Sequence, residues 1–192
     1  MSVLVVGVSH RTAPVSVLER LALDPAGVDK LVHSVSSSEH VTEVTVLSTC
    51  NRIEIYAEVD RFHGSVEAVS RMMCDLTDDR PEEVVPHLYV HYDDGAVAHL
   101  FQVASGLDSM VVGESQILGQ TRAALRVGQE LGTIGPALNT LFQQALRVGK
   151  RVHAETDIDR AAPSLVAVAL DRAAAHVGGL EGRRVVVVGG GA

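Results

Sequence analysis

The segment that most constrains how this chain can fold is 47–56, LSTCNRIEIY. Apolar Val44, Val46 and Leu47 lead into the polar run Ser48, Thr49, Cys50, Asn51 and Arg52, and alternation resumes at Ile53, Ile55 and Ala57. A period of two on either side of a short polar break predicts two strands joined by an elbow. A cysteine at such a turn can present its sulfur to a cleft, with Thr49 and Asn51 able to hydrogen-bond and Arg52 able to grip a carboxylate bidentately. A free thiol titrates near ~8.5, so an adjacent cation such as Arg52 favours the thiolate. The residues alone leave two readings of Cys50 open: a nucleophile, or a small packed side chain at a strand end.

Around this hairpin the chain reads as alternating strands and helices. Residues 3–8 form a short apolar run that predicts a buried strand. Pro14 suits a helix N1 position, and Ser16 with Glu19 has capping-box spacing, so a short helix is expected over 15–23. Asp24 and Pro25 restart a helix as N-cap and N1, with Val28, Leu31, Val32 and Val35 on one face. A further helix is expected over about 62–76 and a strand over 87–92. The order β, α, β, β, α, β, with one extra helix in the first crossover, predicts an α+β, ferredoxin-like βαββαβ sheet domain.

From Gly95 the pattern turns helical. Val97, Leu100, Phe101 and Ala104 mark the apolar stripe of the next helix and leave His99 about 160 degrees from its centre. His99 is thus expected to face either water or a second surface such as the Cys50 cleft. A glycine-rich connection enters another helix near Ile117, where Glu114, Gln116 and Gln120 can cap the helix or hold a polar substrate. A long helix is expected over 136–155, begun by Thr133 and Pro136. Its Arg147, Lys150 and Arg151 form either a solvated face or a local site for RNA phosphate. Pro163 and Ser164 open a last helix, ended by Gly178 and Gly179. A buried strand over 185–188 then runs into Gly189, Gly190, Gly191 and Ala192, the first half of a dinucleotide-binding fingerprint.

Composition enters as a set of exclusions. Aromatic residues make up only 3% of the chain, so a core must be filled by Val, Leu, Ile and Ala, which suits helices packed on a sheet. A formal net charge of -8 argues against nucleic-acid binding by overall charge and leaves only a local basic patch. Cys50 and Cys74 do not make a disulfide framework, and Cys74 lies in a helical pattern as a packed side chain. No metal site is expected. The apolar run at 3–8 is too short for a signal and has no basic flank, and no later run approaches the ~18 residues of a membrane span, so a cytoplasmic location is expected.

Three blocks, SHRTAPV at 9–15, LSTCNRIEIY at 47–56 and HLFQVASGLDSMVVGESQILGQ at 99–120, together resemble glutamyl-tRNA reductase. The resemblance implies NADPH-dependent reduction of glutamyl-tRNA(Glu) to glutamate-1-semialdehyde through a cysteine thioester, the first step of tetrapyrrole (porphyrin, heme) biosynthesis. It implies Cys50 as nucleophile and His99 as an activity-enhancing residue, either general acid or orienter of substrate. Substrate contacts carried over are Thr49, Cys50, Asn51, Arg52, Ser109, Glu114, Ser115, Gln116 and Gln120, with Arg52 the partner of the glutamate side-chain carboxylate. Position 115 is Ser in this chain and is expected to contribute backbone contacts. Gly189, Gly190, Gly191 and Ala192 match the start of the NADPH loop. The family further implies a homodimer and glutamate-1-semialdehyde aminomutase as a partner.

The division expected is a catalytic, glutamyl-tRNA-binding part over 1–155 and a linker with the start of an NADPH-binding, Rossmann-type domain over 156–192. The first part divides into a sheet region over about 1–93 and a helical region over about 94–155. Because the family's proteins are much longer, this chain is expected to be limited to acylation or ester hydrolysis. The alternative is a catalytically idle module that binds glutamyl-tRNA or a partner. A Cys-His hydrolase with His99 as base is a third reading, without support from the resemblance.

Overall fold

The computed structural model describes residues 2–77, 80–158, 165–184 and 186. Its centre is a four-stranded antiparallel sheet with strand order β2-β3-β1-β4, built from β1 (Ser2–Ser9), β2 (Val41–Ser48), β3 (Arg52–Val59) and β4 (Tyr89–Tyr92). Between β1 and β2 lie α1 (Val15–Leu21) and α2 (Pro25–Ser36), and between β3 and β4 lie α3 (Phe62–Cys74), a one-turn helix α4 (Pro81–Val84) and a 3-10 turn. The helices α5 (Asp94–Ala104), α6 (Gln116–Glu130), α7 (Pro136–Glu155) and α8 (Leu165–Val177) follow. An α+β architecture with this order of strands and main helices was legible in the sequence. The α4 turn was not, because four residues carry no periodicity.

Alternation along each strand sends successive side chains to opposite faces of the sheet. One face carries Leu4, Val6 and Val8 of β1 with Ile53, Ile55, Ala57 and Val59 of β3, and packs against α1, α2 and α3. The other carries Val5, Leu47 and Tyr56 and packs against α5, α6 and α7. Helices on both faces leave β1 and β3 almost without exposed residues, which is why the interior residues of β1 read as a continuous apolar run. The second face is not apolar throughout: Arg52 and Glu54 stand on it beside Tyr56 and are equally buried.

The helix ends follow their local chemistry with two exceptions. Asp24 caps α2 by accepting the Gly27 N–H at 2.7 Å, with Pro25 in the first turn as expected. Gly178 and Gly179 take positive φ (73° and 112°) after α8, as C-terminal caps do. The Ser16/Glu19 capping box does not form, because α1 begins at Val15, two residues earlier than that box requires, with Pro14 as its N-cap. Thr133 does not cap α7 either. Its hydroxyl donates to the Val44 carbonyl (2.9 Å) and its own carbonyl accepts the Val44 N–H (2.8 Å), closing the outer edge of β2. The α7 N-terminus is satisfied instead by buried Glu43 of β2, which accepts the N–H groups of Ala137 (3.1 Å) and Leu138 (2.7 Å).

Among the described residues no helix is long and apolar enough to cross a membrane. The strand expected over 185–188 and the glycine run at 189–192 lie outside the described residues, apart from the isolated Val186.

Candidate active site

The elbow between β2 and β3 is organised by Thr49. Its Oγ1 accepts the N–H groups of Asn51 and Arg52, both at 3.1 Å, while its own N–H donates to the Arg52 carbonyl at 2.9 Å. A hydroxyl folded back onto the backbone in this way substitutes for one turn of hydrogen bonding and fixes the bend. Cys50 sits at the apex, exposed and free, while Cys74 is buried in α3. The reading of Cys50 as a packed strand-end residue is therefore removed. The SHRTAPV loop is tied to the same elbow, since the His10 N–H donates to the Asn51 carbonyl at 2.9 Å.

Thr49, Cys50, Asn51 and Arg52 line one small cleft together with Ser109, Met110, Glu114, Ile117 and Gln120. The far wall is the loop between α5 and α6. Gly106 and Gly113 hold it at φ values of +74° and +87°, and the Gly113 N–H donates to the Gly106 carbonyl at 2.9 Å. Residues 49–52 and 109–120, more than fifty positions apart in the chain, thus meet across the thiol. Ser115 and Gln116 are exposed at the start of α6 and do not line this cleft, and His99 does not either.

Arg52 is 2% exposed, and its side chain is already held on three acceptors. Nη1 donates to Glu54 Oε1 at 2.8 Å, and Nη2 donates to the Asp108 carbonyl at 2.5 Å and faces Asp108 Oδ2 at 3.0 Å. Asp108 is also paired with half-exposed Arg11 of the first loop at 2.8 Å. The cation expected to wait for a substrate carboxylate is thus fixed in plane by two carboxylates of its own chain. Five guanidinium N–H donors are not exhausted by three acceptors, and Arg52 is part of the lining of the Cys50 cleft.

Glu54 is the hub behind this cation. Fully buried, it accepts from Arg52, from Tyr56 OH (2.6 Å), from Tyr89 OH (2.5 Å) and from His99 Nε2 (2.8 Å). Burial alone would raise its pKa, but the His99 hydrogen bond, the Arg52 charge and the Tyr56 hydrogen bond outweigh it and hold the carboxyl down at about 2. Burial, and then the Glu54 charge, push the Tyr56 and Tyr89 hydroxyls well above their ordinary range, so both remain donors. The Arg52 pKa is raised despite burial, with the Glu54 charge the largest favourable cause.

His99 faces a second surface, though a different one from the Cys50 cleft. It is buried, stacks on His91 of β4 at 4.4 Å between ring centroids, and lines a separate cleft of about 570 Å³ with Ser9, Arg11, Tyr89 and Asp108. The Arg52–Asp108 pair stands between the two clefts. The α5 stripe is also rotated from the expected one: Ala96, Leu100, Val103 and Ala104 are its buried apolar residues, while Val97 and Phe101 are only half-buried. The α5 helix packs on a partly polar sheet face as well as on α7, so its inward side accommodates a histidine.

Glu54, Tyr56, Tyr89, His91, Asp108 and Arg11 were not singled out from the sequence. One signal was present: Arg52, Glu54 and Tyr56 share the polar face of β3 at a spacing of two. That face would be wetted in a sheet covered on one side only. On α7, Arg147 and Lys150 are exposed, and Arg151 is paired with Glu155 at 2.9 Å. Among the described residues no group of three or more His, Cys, Asp or Glu side chains is placed to hold a metal ion. Gly189, Gly190, Gly191 and Ala192, expected to open an NADPH loop, lie outside the described residues.

Comparison with known proteins bears on this arrangement. The family model described as Glutamyl-tRNAGlu reductase, N-terminal domain, matches residues 6–156. Glutamyl-tRNA reductase 1 of a Nocardioides species is 72% identical over 191 residues, covering 100% of this chain and 44% of that protein. Glutamyl-tRNA reductase of Kineococcus radiotolerans is 54% identical over 192 residues, covering 100% of this chain and 43% of that protein. Among solved structures, glutamyl-tRNA reductase from Methanopyrus kandleri superposes with a TM-score of 0.65 at 34% identity, over 80% of this chain and 35% of that one. The chain spans less than half the length of the relatives it matches, and it belongs to the glutamyl-tRNA reductase family through that family's N-terminal domain.

Proposed function

We propose that this chain carries out the acyl-transfer half of glutamyl-tRNA reduction, with Cys50 as nucleophile. The observation that carries the reading is the shared cleft: an exposed thiol at a rigid elbow, opposite Ser109, Glu114 and Gln120, with a fixed guanidinium in its wall. The Cys50 thiolate attacks the glutamate α-carbonyl carbon, a C–S bond forms, and the C–O bond to the terminal ribose breaks. The ribose oxygen takes a proton from solvent, which the exposed site admits, and leaves as a hydroxyl. Arg52, kept in plane by Glu54 and Asp108, meets the substrate side-chain carboxylate with its remaining N–H donors, and Glu114 and Gln120 accept and donate to the substrate amino group and carbonyl. His99 acts on this cleft through Glu54 and Arg52, which makes it a positioning residue in this reading.

Within a longer protein, the thioester would be reduced to glutamate-1-semialdehyde for tetrapyrrole synthesis, with NADPH supplying the hydride. The ferredoxin-like order of strands serves this chemistry by placing the β2–β3 elbow at one end of the sheet, beside the α5–α6 loop.

The test is incubation with glutamyl-tRNA followed by acid quench and intact-mass measurement. A glutamyl adduct on the native chain that disappears in Cys50→Ser is expected. Equal labelling of both proteins would refute the assignment. Binding of glutamyl-tRNA without any adduct, in folded protein, would favour the idle binding module.

A further inference from the structure

A second recess adjoins the thiol cleft and has no part in the reading above. It is a groove of about 640 Å³ between α2 and α6, floored by the end of β2. Leu23, Pro25 and Val28 form one wall, Ala123, Ala124 and Val127 the other, and Val46 with Ser48 the floor. Its polar groups are few: the Ser48 hydroxyl, the Asp29 carboxylate and the Gln120 amide. Gln120 also lines the Cys50 cleft, so the two recesses share a wall.

We infer that this groove holds the terminal adenosine of the acyl-tRNA while its glutamyl ester lies at Cys50, an inference that rests on the acyl-transfer reading proposed above. The first argument is length. Ser48 lies two residues before Cys50, at most ~7 Å along an extended chain. The attacked carbonyl carbon is separated from the base by about five covalent bonds through the ribose, on the order of 6 Å. An ester carbonyl at the sulfur therefore leaves the base within reach of the mouth of the groove.

The second argument is chemistry. A purine offers two flat apolar faces and an edge of alternating donor and acceptor. Aliphatic walls from two helices can sandwich the faces, Asp29 can accept from the exocyclic amine, and the Gln120 amide can match the amine and ring-nitrogen pair, a pairing known from adenine readout.

Adenosine in the groove would explain why Gln120 serves both recesses: it orients base and glutamyl group together.

The test uses the full 192-residue chain in two arms. In the first, adenosine 5'-monophosphate is titrated into isotope-labelled protein, with uridine 5'-monophosphate as comparison. Amide shifts at Val28, Val46, Gln120 and Val127, about tenfold weaker with the uridine nucleotide, are expected. Shifts elsewhere, no shifts, or equal response to both nucleotides would overturn the inference. In the second, Cys50 acylation by 3'-O-glutamyl-adenosine is compared with acylation by a nucleoside-free glutamyl thioester. Ala123→Trp fills the groove from an exposed position, and it should lower the ratio of the two rates about tenfold. An unchanged ratio counts against the inference. Acylation of Cys50 with an empty groove would refute the groove alone, while a filled groove with no acylation by either ester would refute the acyl-transfer reading and leave the groove standing.

Discussion

Replacing Glu54 with Gln is the sharpest perturbation of this site, because it removes one charge and almost no volume. Glu54 is fully buried and accepts four hydrogen bonds, three of them on Oε1, from Arg52, Tyr89 and His99. An amide can keep its oxygen on that side and turn its nitrogen to Tyr56, whose hydroxyl can rotate to accept. The loss is then chiefly the charge facing Arg52, which retains only Asp108. Removing one partner of a buried ion pair costs roughly 3–5 kcal/mol. A carboxyl held near 2 against an ordinary 4.5 gives a similar figure, about 3 kcal/mol.

The sign in pH follows from the lowered pKa of Glu54. Its contribution is complete above the unfolded carboxyl's pKa of 4.5 and is lost as pH falls toward about 2. Urea denaturation of the native chain and of Glu54→Gln, repeated from pH 7 downward, should show a gap of about 3 kcal/mol at pH 7. That gap should close as pH approaches 2. A gap under ~0.5 kcal/mol at pH 7, or one that stays constant through the acid range, would show that Glu54 is not the charged hub of the network. Acylation of Cys50 should fall in the same variant, since Arg52 would no longer be held in plane.

Other consequences can be checked alongside. Gly149 of α7 crosses α5 so closely that an added Cβ would stand 2.5 Å from the Ala104 carbonyl oxygen. Gly149→Ala would gain about 1 kcal/mol of helix propensity, but overpacking against backbone costs typically 1–3 kcal/mol, so a lower thermal midpoint is expected, and a higher one would show that the helices can part freely. Gly7→Ala should likewise lower stability by roughly 1–3 kcal/mol, because its Cβ would lie 2.8 Å from Glu54 Cγ and 2.9 Å from the Tyr89 ring; urea midpoints within error of the native chain would contradict this packing. Glu43→Ala leaves the first N–H groups of α7 without their acceptor, and a loss of about 1–2 kcal/mol in urea denaturation should accompany faster hydrogen exchange at Ala137 and Leu138.

The parts of the site that were legible in the sequence are those carried by local rules or by the resemblance. The elbow at Cys50 follows from a change in alternation, and Thr49, Asn51, Arg52, Ser109, Glu114 and Gln120 converge on it as a set. Helical spacing groups Gln116 with Gln120, yet only Gln120 reaches the cleft, because α6 starts at Gln116 and its first residue remains exposed. For His99 the helical spacing gives an angle from the stripe Val97, Leu100, Phe101 and Ala104, but the buried face of the helix is rotated from that stripe. Leu100 and Ala104 do face inward, while Ala96 and Val103, small enough to lie close to α7 and the sheet, replace Val97 and Phe101 on that side.

What the sequence by itself determined is whatever depends on a few neighbouring residues: the Asp24-Pro25 start of α2, the twenty-residue α7, the strands around the elbow and the placing of a thiol at its apex. What only the tertiary structure decided is the electrostatics of the site. Arg52, Glu54 and Tyr56 form the polar face of β3, and in isolation they would be solvated. Once α5, α6 and α7 cover that face, water is excluded and each charge must find a partner inside the protein. The partners, Asp108, Tyr89 and His99, come from distant positions, and a pairing forced by desolvation is set by which surfaces pack together, which no local pattern records.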